Sequence, residues 1–320
     1  MNNRLAGMGD AQVENLIAAL YSLVDGELAI TMLIAQGDRA VPHLEHFLLA
    51  GPPRTIALPR CRAAHALGEL GAYSTLISYF RQYELPCDAE VLFAEDAVRS
   101  AVARALIRWK CEEVFHVLLD AARQRATSGL IFSLGEFHRS ESIPLLFEVL
   151  EDDFCREEAK DGLRKVSETA RQYAILSIRG LTDTRLHVPS ALRQLRATLQ
   201  LLGEFGVLPE EWCDLRNFLL ERDADVVIAT ANIGSAIGPK DDRPQILQAL
   251  FRISDHLNWM QEDQVTTILD SHPELAREIA RTMANERRAG GEHPNWLVPF
   301  WRILKHLLGA ELERDHYATS

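Results

Sequence analysis

The stretch Arg60-Cys61-Arg62-Ala63-Ala64-His65-Ala66-Leu67-Gly68-Glu69-Leu70-Gly71 constrains this chain most, because weaker copies of it return along the sequence. A return about every 30–40 residues is the mark of a stacked helical array, in which each unit buries its apolar face only against its neighbours. Apolar residues fall at i, i+3, i+4 and i+7 almost throughout, and no segment alternates with period two. An all-α chain follows. A compact chain of 320 residues would split into two domains. An array escapes that limit, so 1–320 reads as one unit with capping pairs at 1–37 and 273–312.

Gly, Pro and Asp punctuate the helical pattern into about nine helix pairs. The expected pairs are 10–23 with 26–37, 40–50 with 60–71, 72–84 with 96–109, 111–123 with 125–138 and 141–151 with 155–166. Then come 169–181 with 189–206, 208–221 with 224–238, 243–257 with 260–271, and 273–287 with 294–311. The second helices superpose on the anchors Leu33, Leu67, Leu106, Leu134, Leu163, Leu202 and Ile233. Small residues flank several anchors: Ala66 and Gly68, Ala105, Gly135, Gly162, Gly203 and Gly234. Glycine inside a helix costs about 1 kcal/mol against alanine, so its recurrence there implies close helix approach. Pro42 and Pro144 mark first-helix starts, where a missing N–H costs nothing.

These features resemble the HEAT repeat, including its bilin-lyase-type HEAT-like subgroup. The likeness rests on Arg60-x-Arg62-Ala63-Ala64-x-Ala66-Leu67-Gly68-Glu69-Leu70-Gly71, Val98-Arg99-x-Ala101-x-Ala103-x-Ala105-Leu106 and Leu202-Gly203-Glu204-Phe205-Gly206. The resemblance covers roughly residues 26–270. It implies a right-handed, armadillo-like α-solenoid of antiparallel pairs. It names no function, since such arrays serve as scaffolds, transport adaptors, lyases and a few DNA-repair enzymes.

In such arrays the second helices line the concave side. Positions two before and two after an anchor point away from the core on a 100° wheel, and five anchors, Leu67, Leu106, Leu134, Leu163 and Leu202, give the candidate face. Its residues are His65 and Glu69, Arg104 and Arg108, Phe132 and Glu136, Asp161 and Lys165, then Gln200 and Glu204. The set mixes acids, bases and one aromatic. A phosphate track would be almost wholly Arg and Lys. A mixed set suits a protein or peptide partner, where complementary charge sets register. The plainer reading is a solvated helix face with i,i+4 pairs. Arg62 and Arg99 sit near second-helix starts. They read as structural, bonded to a neighbouring loop carbonyl or to a carboxylate such as Asp38 or Asp96.

Formal net charge is −12. That field disfavours nucleic acid, whose binding rests on phosphate contacts. Five scattered cysteines without a CxxC suggest a reducing compartment. The stretch MNNRLAGMGDAQVEN carries no apolar h-region, and no run reaches membrane-span length, so a cytoplasmic location is expected. No membrane partner is implied.

His43 and His46 at i,i+3, with His65 on the next helix, are the one metal-like grouping, but a zinc site needs three or four ligands. Both histidines read equally as surface residues beside the core Leu44 and Phe47. No histidine is followed by Glu, which removes the di-iron hydroxylase pattern of HEAT-like proteins. No GxSxG, GxxxxGK[ST], HExxH or strand-borne GxGxxG appears. Cys61 and His65 at i,i+4 could form a thiolate pair, without an orienting third group. No catalytic residue, metal or cofactor is therefore assigned. The expected function is a non-enzymatic scaffold or adaptor. A bilin-lyase-like enzyme acting on a protein-bound tetrapyrrole is the alternative. A DNA-repair module using Trp109 and Trp212 is weaker, because the surrounding charge is wrong. Two departures from regularity remain: an insert over 83–96 with Pro86 and Phe93, and the aromatic run from Pro294 to Leu304 around Trp296, Phe300 and Trp301. Either could contact a partner; the aromatic run reads first as a seal on the array's end.

Overall fold

The structure is a computed structural model, and it describes residues 2–51, 55–82, 86–179 and 188–279, with side chains from Asp10 onward except that of residue 255. Among the described residues every regular element is helical and no strand occurs. The aromatic run and most of the 273–312 pair lie outside the described residues. Backbone contacts divide the chain into two compact units, 1–166 and 167–320.

The first unit holds α1 (Asn2–Ala19), α2 (Gly26–Ala35), α3 (Val41–Ala50), α4 (Leu58–Glu69), α5 (Tyr73–Arg81), α6 (Ala89–Leu106), α7 (Glu112–Gln124), α8 (Ser128–Gly135), α9 (Ile143–Glu148) and α10 (Arg156–Arg164). Prolines 42, 59 and 144 sit in the first turns of α3, α4 and α9. Asp88 caps α6 by accepting from the N–H groups of Glu90 and Val91, and Thr127 caps α8 at Leu130. Each cap supplies an acceptor for otherwise orphaned first-turn donors. The helices α2, α4, α6, α8 and α10 pack in succession, each on the next. The anchors Leu33, Leu67, Leu106, Leu134 and Leu163 are wholly buried, and so are Leu44, Leu76, Phe115 and Leu146 from the intervening helices.

Small residues set the spacing of that row. A Cβ on Gly135 would stand 2.8 Å from the Gly162 Cα, and one on Gly68 would stand 3.0 Å from the Ala105 Cβ. The helix backbones therefore run nearly in contact at these points. The close-approach role expected for the small residues holds between α4 and α6 and between α8 and α10. In the second unit, a Cβ on Gly203 would meet its nearest atoms only at 3.7 and 3.9 Å, so that glycine is not required by packing.

Charged groups bridge the helices from inside. The Arg60 guanidinium donates to both Glu95 carboxylate oxygens at 2.6 and 3.0 Å, and its Nε donates to the Leu48 carbonyl at 2.8 Å. The Tyr79 hydroxyl donates to the same carboxylate at 2.5 Å. Arg60 and Glu95 are almost fully buried. One network thus ties α3, α4, α5 and α6. Arg62 Nη1 donates to the Leu20 and Ser22 carbonyls at 2.7 and 2.8 Å, and its Nε donates to Glu27. Its guanidinium lies where a Cβ on Gly26 would be, so only glycine admits it. Arg99 donates to the Ala121 carbonyl at 2.8 Å and lies over the Phe80 ring. The structural reading of Arg62 and Arg99 holds, with different partners. Asp96 is taken instead by Arg125, at 2.6 Å for both bonds.

The expected insert over 83–96 is corrected. Residues 89–96 are the opening turns of α6, and of the insert only 86–88 are a described loop. Glu95, an acid at a position the helical period assigns to the core, is accommodated there by its bond to Arg60. The helix expected over 125–138 is shorter, Ser128–Gly135.

The second unit holds α11 (Ser167–Arg179), α12 (Pro189–Phe205), α13 (Trp212–Leu215), α14 (Ala224–Ile237), α15 (Arg243–Ile253) and α16 (Trp259–Ser271), with a further helical segment at 273–279. The expected helix 208–221 is a short α-helix between two 3-10 segments, Pro209–Glu211 and Arg216–Leu220. Helix α12 packs on α11 and α14, and α14 packs on α15 and α16. Arg196 pairs with Asp223, the N-cap of α14, and Arg252 donates to the Leu219 and Glu221 carbonyls at 2.6 and 2.7 Å. Arginine bridging between neighbouring pairs thus recurs here.

Gly135→Leu is expected to lower unfolding stability by about 2 kcal/mol, since the added side chain forces α8 from α10; an unchanged urea midpoint would refute the close-approach account. Arg60→Met alone strands a buried carboxylate and should cost about 3–5 kcal/mol, while Arg60→Met/Tyr79→Phe/Glu95→Leu should recover most of it.

Candidate binding face

The ends of α4, α6, α8 and α10 bring eight of the ten sequence-selected residues onto one side of the first unit. His65 and Glu69 lie on α4, Arg104 on α6 with Arg108 just past its end, Phe132 on α8, and Asp161 on α10. Glu136 and Lys165 are the C-cap residues of α8 and α10. Seven of the eight are exposed, and Glu136 is half-buried. Gln200 and Glu204 are exposed on α12 in the second unit.

The side chains join helix to helix. Arg108 past α6 pairs with Glu69 on α4. Arg104 lies 5.9 Å from the Phe132 ring centroid, and the Lys165 ammonium lies 5.6 Å from the same ring. Phe132, 37% exposed, therefore meets cations from both neighbouring helices. Each such contact is worth about 0.5–1 kcal/mol at an exposed site. Lys165 also donates to the Glu136 carboxylate, and Lys110 donates to the Glu136 carbonyl at 3.0 Å. The Lys165 bond holds the Glu136 carboxyl below the usual range. Arg164 pairs with Asp161 at 2.7 Å on the same helix. Cations gather here because helix C-termini present orphan carbonyls and partial negative charge.

Between α4 and α6 these residues frame an open groove of about 360 Å³, lined by His65, Glu69, Arg104 and Arg108 over Gly68, Ala101 and Ala105. The small residues that allow close helix approach also form its floor. Sequence reasoning marked Gly68 and Ala105 for packing and missed this second consequence. It also missed Lys110, which lies outside the two positions taken per helix.

The other groups considered for chemistry are placed as follows. His43 Nε2 lies 3.7 Å from the Asp10 carboxylate, and among the described residues no three His, Cys, Asp or Glu side chains cluster as metal ligands. Burial pushes the Cys61 thiol up to about 11, which opposes a thiolate beside His65. Trp212 is buried, its indole N–H donating to Asp242 at 2.7 Å, so it presents no stacking face. Trp109 packs edge-on against Tyr73 at 5.5 Å. No described helix is long and apolar enough to cross a membrane.

No protein-family model matches the chain, and no curated protein matches it.

Thiol reactivity should separate by burial. Alkylation with iodoacetamide at pH 8 is expected to label the exposed Cys87, Cys111 and Cys213 first. Cys61 and Cys155, raised by burial to about 11 and about 12, should stay unlabelled in the folded protein until the pH approaches those values. Peptide mass mapping after quenching reads this directly, and early labelling of Cys61 would contradict the burial argument.

Proposed function

We propose that the chain is a HEAT-like protein-binding scaffold. On this reading, helix pairs stack within each unit in the manner of an α-solenoid, and the exposed side of the second helices holds a protein or peptide partner. The observation that carries it is Phe132 held between Arg104 and Lys165 beside an open groove with a small-residue floor. An exposed aromatic pinned in place loses little freedom on binding and serves as an anchor. The alternation of Glu69, Arg104, Arg108, Glu136 and Lys165 would set a partner's register by charge. Mixed charge, with acids paired to bases, speaks against a nucleic-acid track. The five free thiols agree with a reducing, cytoplasmic setting. The residues of the groove act by shape and charge, and the proposal assigns them no bond-making step.

The test is a stoichiometric pull-down from the native host, with mass spectrometry, comparing the unaltered chain with Arg104→Glu/Arg108→Glu and with Phe132→Ala. Each variant should weaken the retained partner by at least about tenfold, or about 1.4 kcal/mol. Retention at full strength by both variants would rule out this face as the docking surface.

A further inference from the structure

A different surface of the first unit carries a second pattern. Successive second helices run parallel: Arg60 meets Glu95 near the starts of α4 and α6, and Glu69 meets Arg108 at their ends. Likewise Ser100 lies against Gly129 early in α8, and Lys110 reaches Glu136 at its end. The turns leading from each first helix into its second helix therefore fall along one edge. That edge exposes large apolar side chains: Leu23 (82%) and Val24 (86%) before α2, Ile56 and Leu58 before and at the start of α4, Phe93 (78%) in the opening turns of α6, and Phe154 (85%) before α10. Only the α8 turn lacks one; Arg125 stands there, held by Asp96. Among the described residues of this unit, no turn joining one pair to the next exposes a large apolar side chain. Among the described turns of this unit the large exposed apolar side chains fall on this edge alone, while Leu28, Met32 and Phe132 are exposed on helix faces; scattered exposed hydrophobes are ordinary, but such a row along one edge is not.

The same edge is acidic. Asp25, Glu27, Asp88, Glu90, Glu151 and Asp153 are all exposed there. Among the described residues of these turns the cations are already engaged, Arg125 with Asp96 and Arg156 with Asp153, and Arg62, buried beneath, with Glu27. Acids around apolar steps repel an anionic bilayer and would face like charge in a second copy. They complement a basic segment. Spacing selects its conformation. Packed helix axes stand about 8–10 Å apart, and seven residues of an α-helix rise about 10.5 Å. A helix laid across the edge therefore meets successive apolar steps with residues seven apart. We infer that this edge docks a basic amphipathic α-helix of a partner protein, its apolar stripe on Leu23, Val24, Leu58 and Phe93 and its Lys or Arg residues toward Asp25 and Glu90. The site is separate from the groove on the other ends of these helices and stands or falls without it.

The test titrates the full chain against two fluorescein-labelled synthetic helices of equal length, one with Leu at heptad a and d positions and Lys elsewhere, the other with Glu in place of Lys. Anisotropy should report binding of the Lys helix alone. Leu23→Ser/Val24→Ser and Phe93→Ser, at sites too exposed to disturb the core, should each weaken it at least about tenfold, with helical circular dichroism unchanged. Arg104→Glu/Arg108→Glu should leave it intact. Failure to bind the Lys helix, equal binding of both helices, or edge variants that bind as the unaltered chain does would overturn the inference. So would edge-dependent co-sedimentation with phosphatidylcholine vesicles, or a dimer in sedimentation velocity that these substitutions dissolve.

Discussion

Backbone contact between neighbouring second helices governs the first unit. Where Gly135 meets Gly162 no side chain separates the helices, and where Gly68 meets Ala105 only a methyl group does. Dispersion and apolar burial then act at the shortest range, and the anchors Leu67, Leu106, Leu134 and Leu163 close over the seam. Close spacing has a second effect. It brings side chains from separate helices within bonding distance on the outer face, so Glu69 reaches Arg108 and Phe132 receives cations from both sides. The face that carries Glu69, Arg108 and Phe132 is a by-product of the packing.

Buried arginines supply what apolar packing cannot, which is direction. Arg60 must be matched by Glu95, and Arg62 by the Leu20 and Ser22 carbonyls. A buried charge left unmatched is severely penalised, so a pair shifted out of register would lose more than it could regain elsewhere. The result is a row whose helices share one polarity, with all first-to-second turns on one edge. That polarity separates the groove at the helix ends from the apolar, acidic edge at their starts.

The anchors were legible because a 3.6-residue period needs only one chain segment to be read. The outward positions were legible for the same reason: His65, Arg104, Phe132 and Asp161 follow from their anchors by counting. The start of α6 was not, because Glu95 sits in the core while looking like a surface residue, and its partner Arg60 is 35 positions away. The stacking of Arg104 and Lys165 on Phe132 was equally hidden, since the three residues belong to three helices.

Local sequence by itself determined that the described residues are helical, where most of those helices begin, and which side of α4, α6, α8, α10 and α12 faces outward. Those properties depend on side-chain periodicity and on first-turn chemistry within a few residues. Tertiary structure alone decided which outward residues meet, which arginines vanish into the interior, and where exposed apolar side chains line up. These depend on the distance between helices, which is set by the size of residues far apart in the chain and encoded in no single segment.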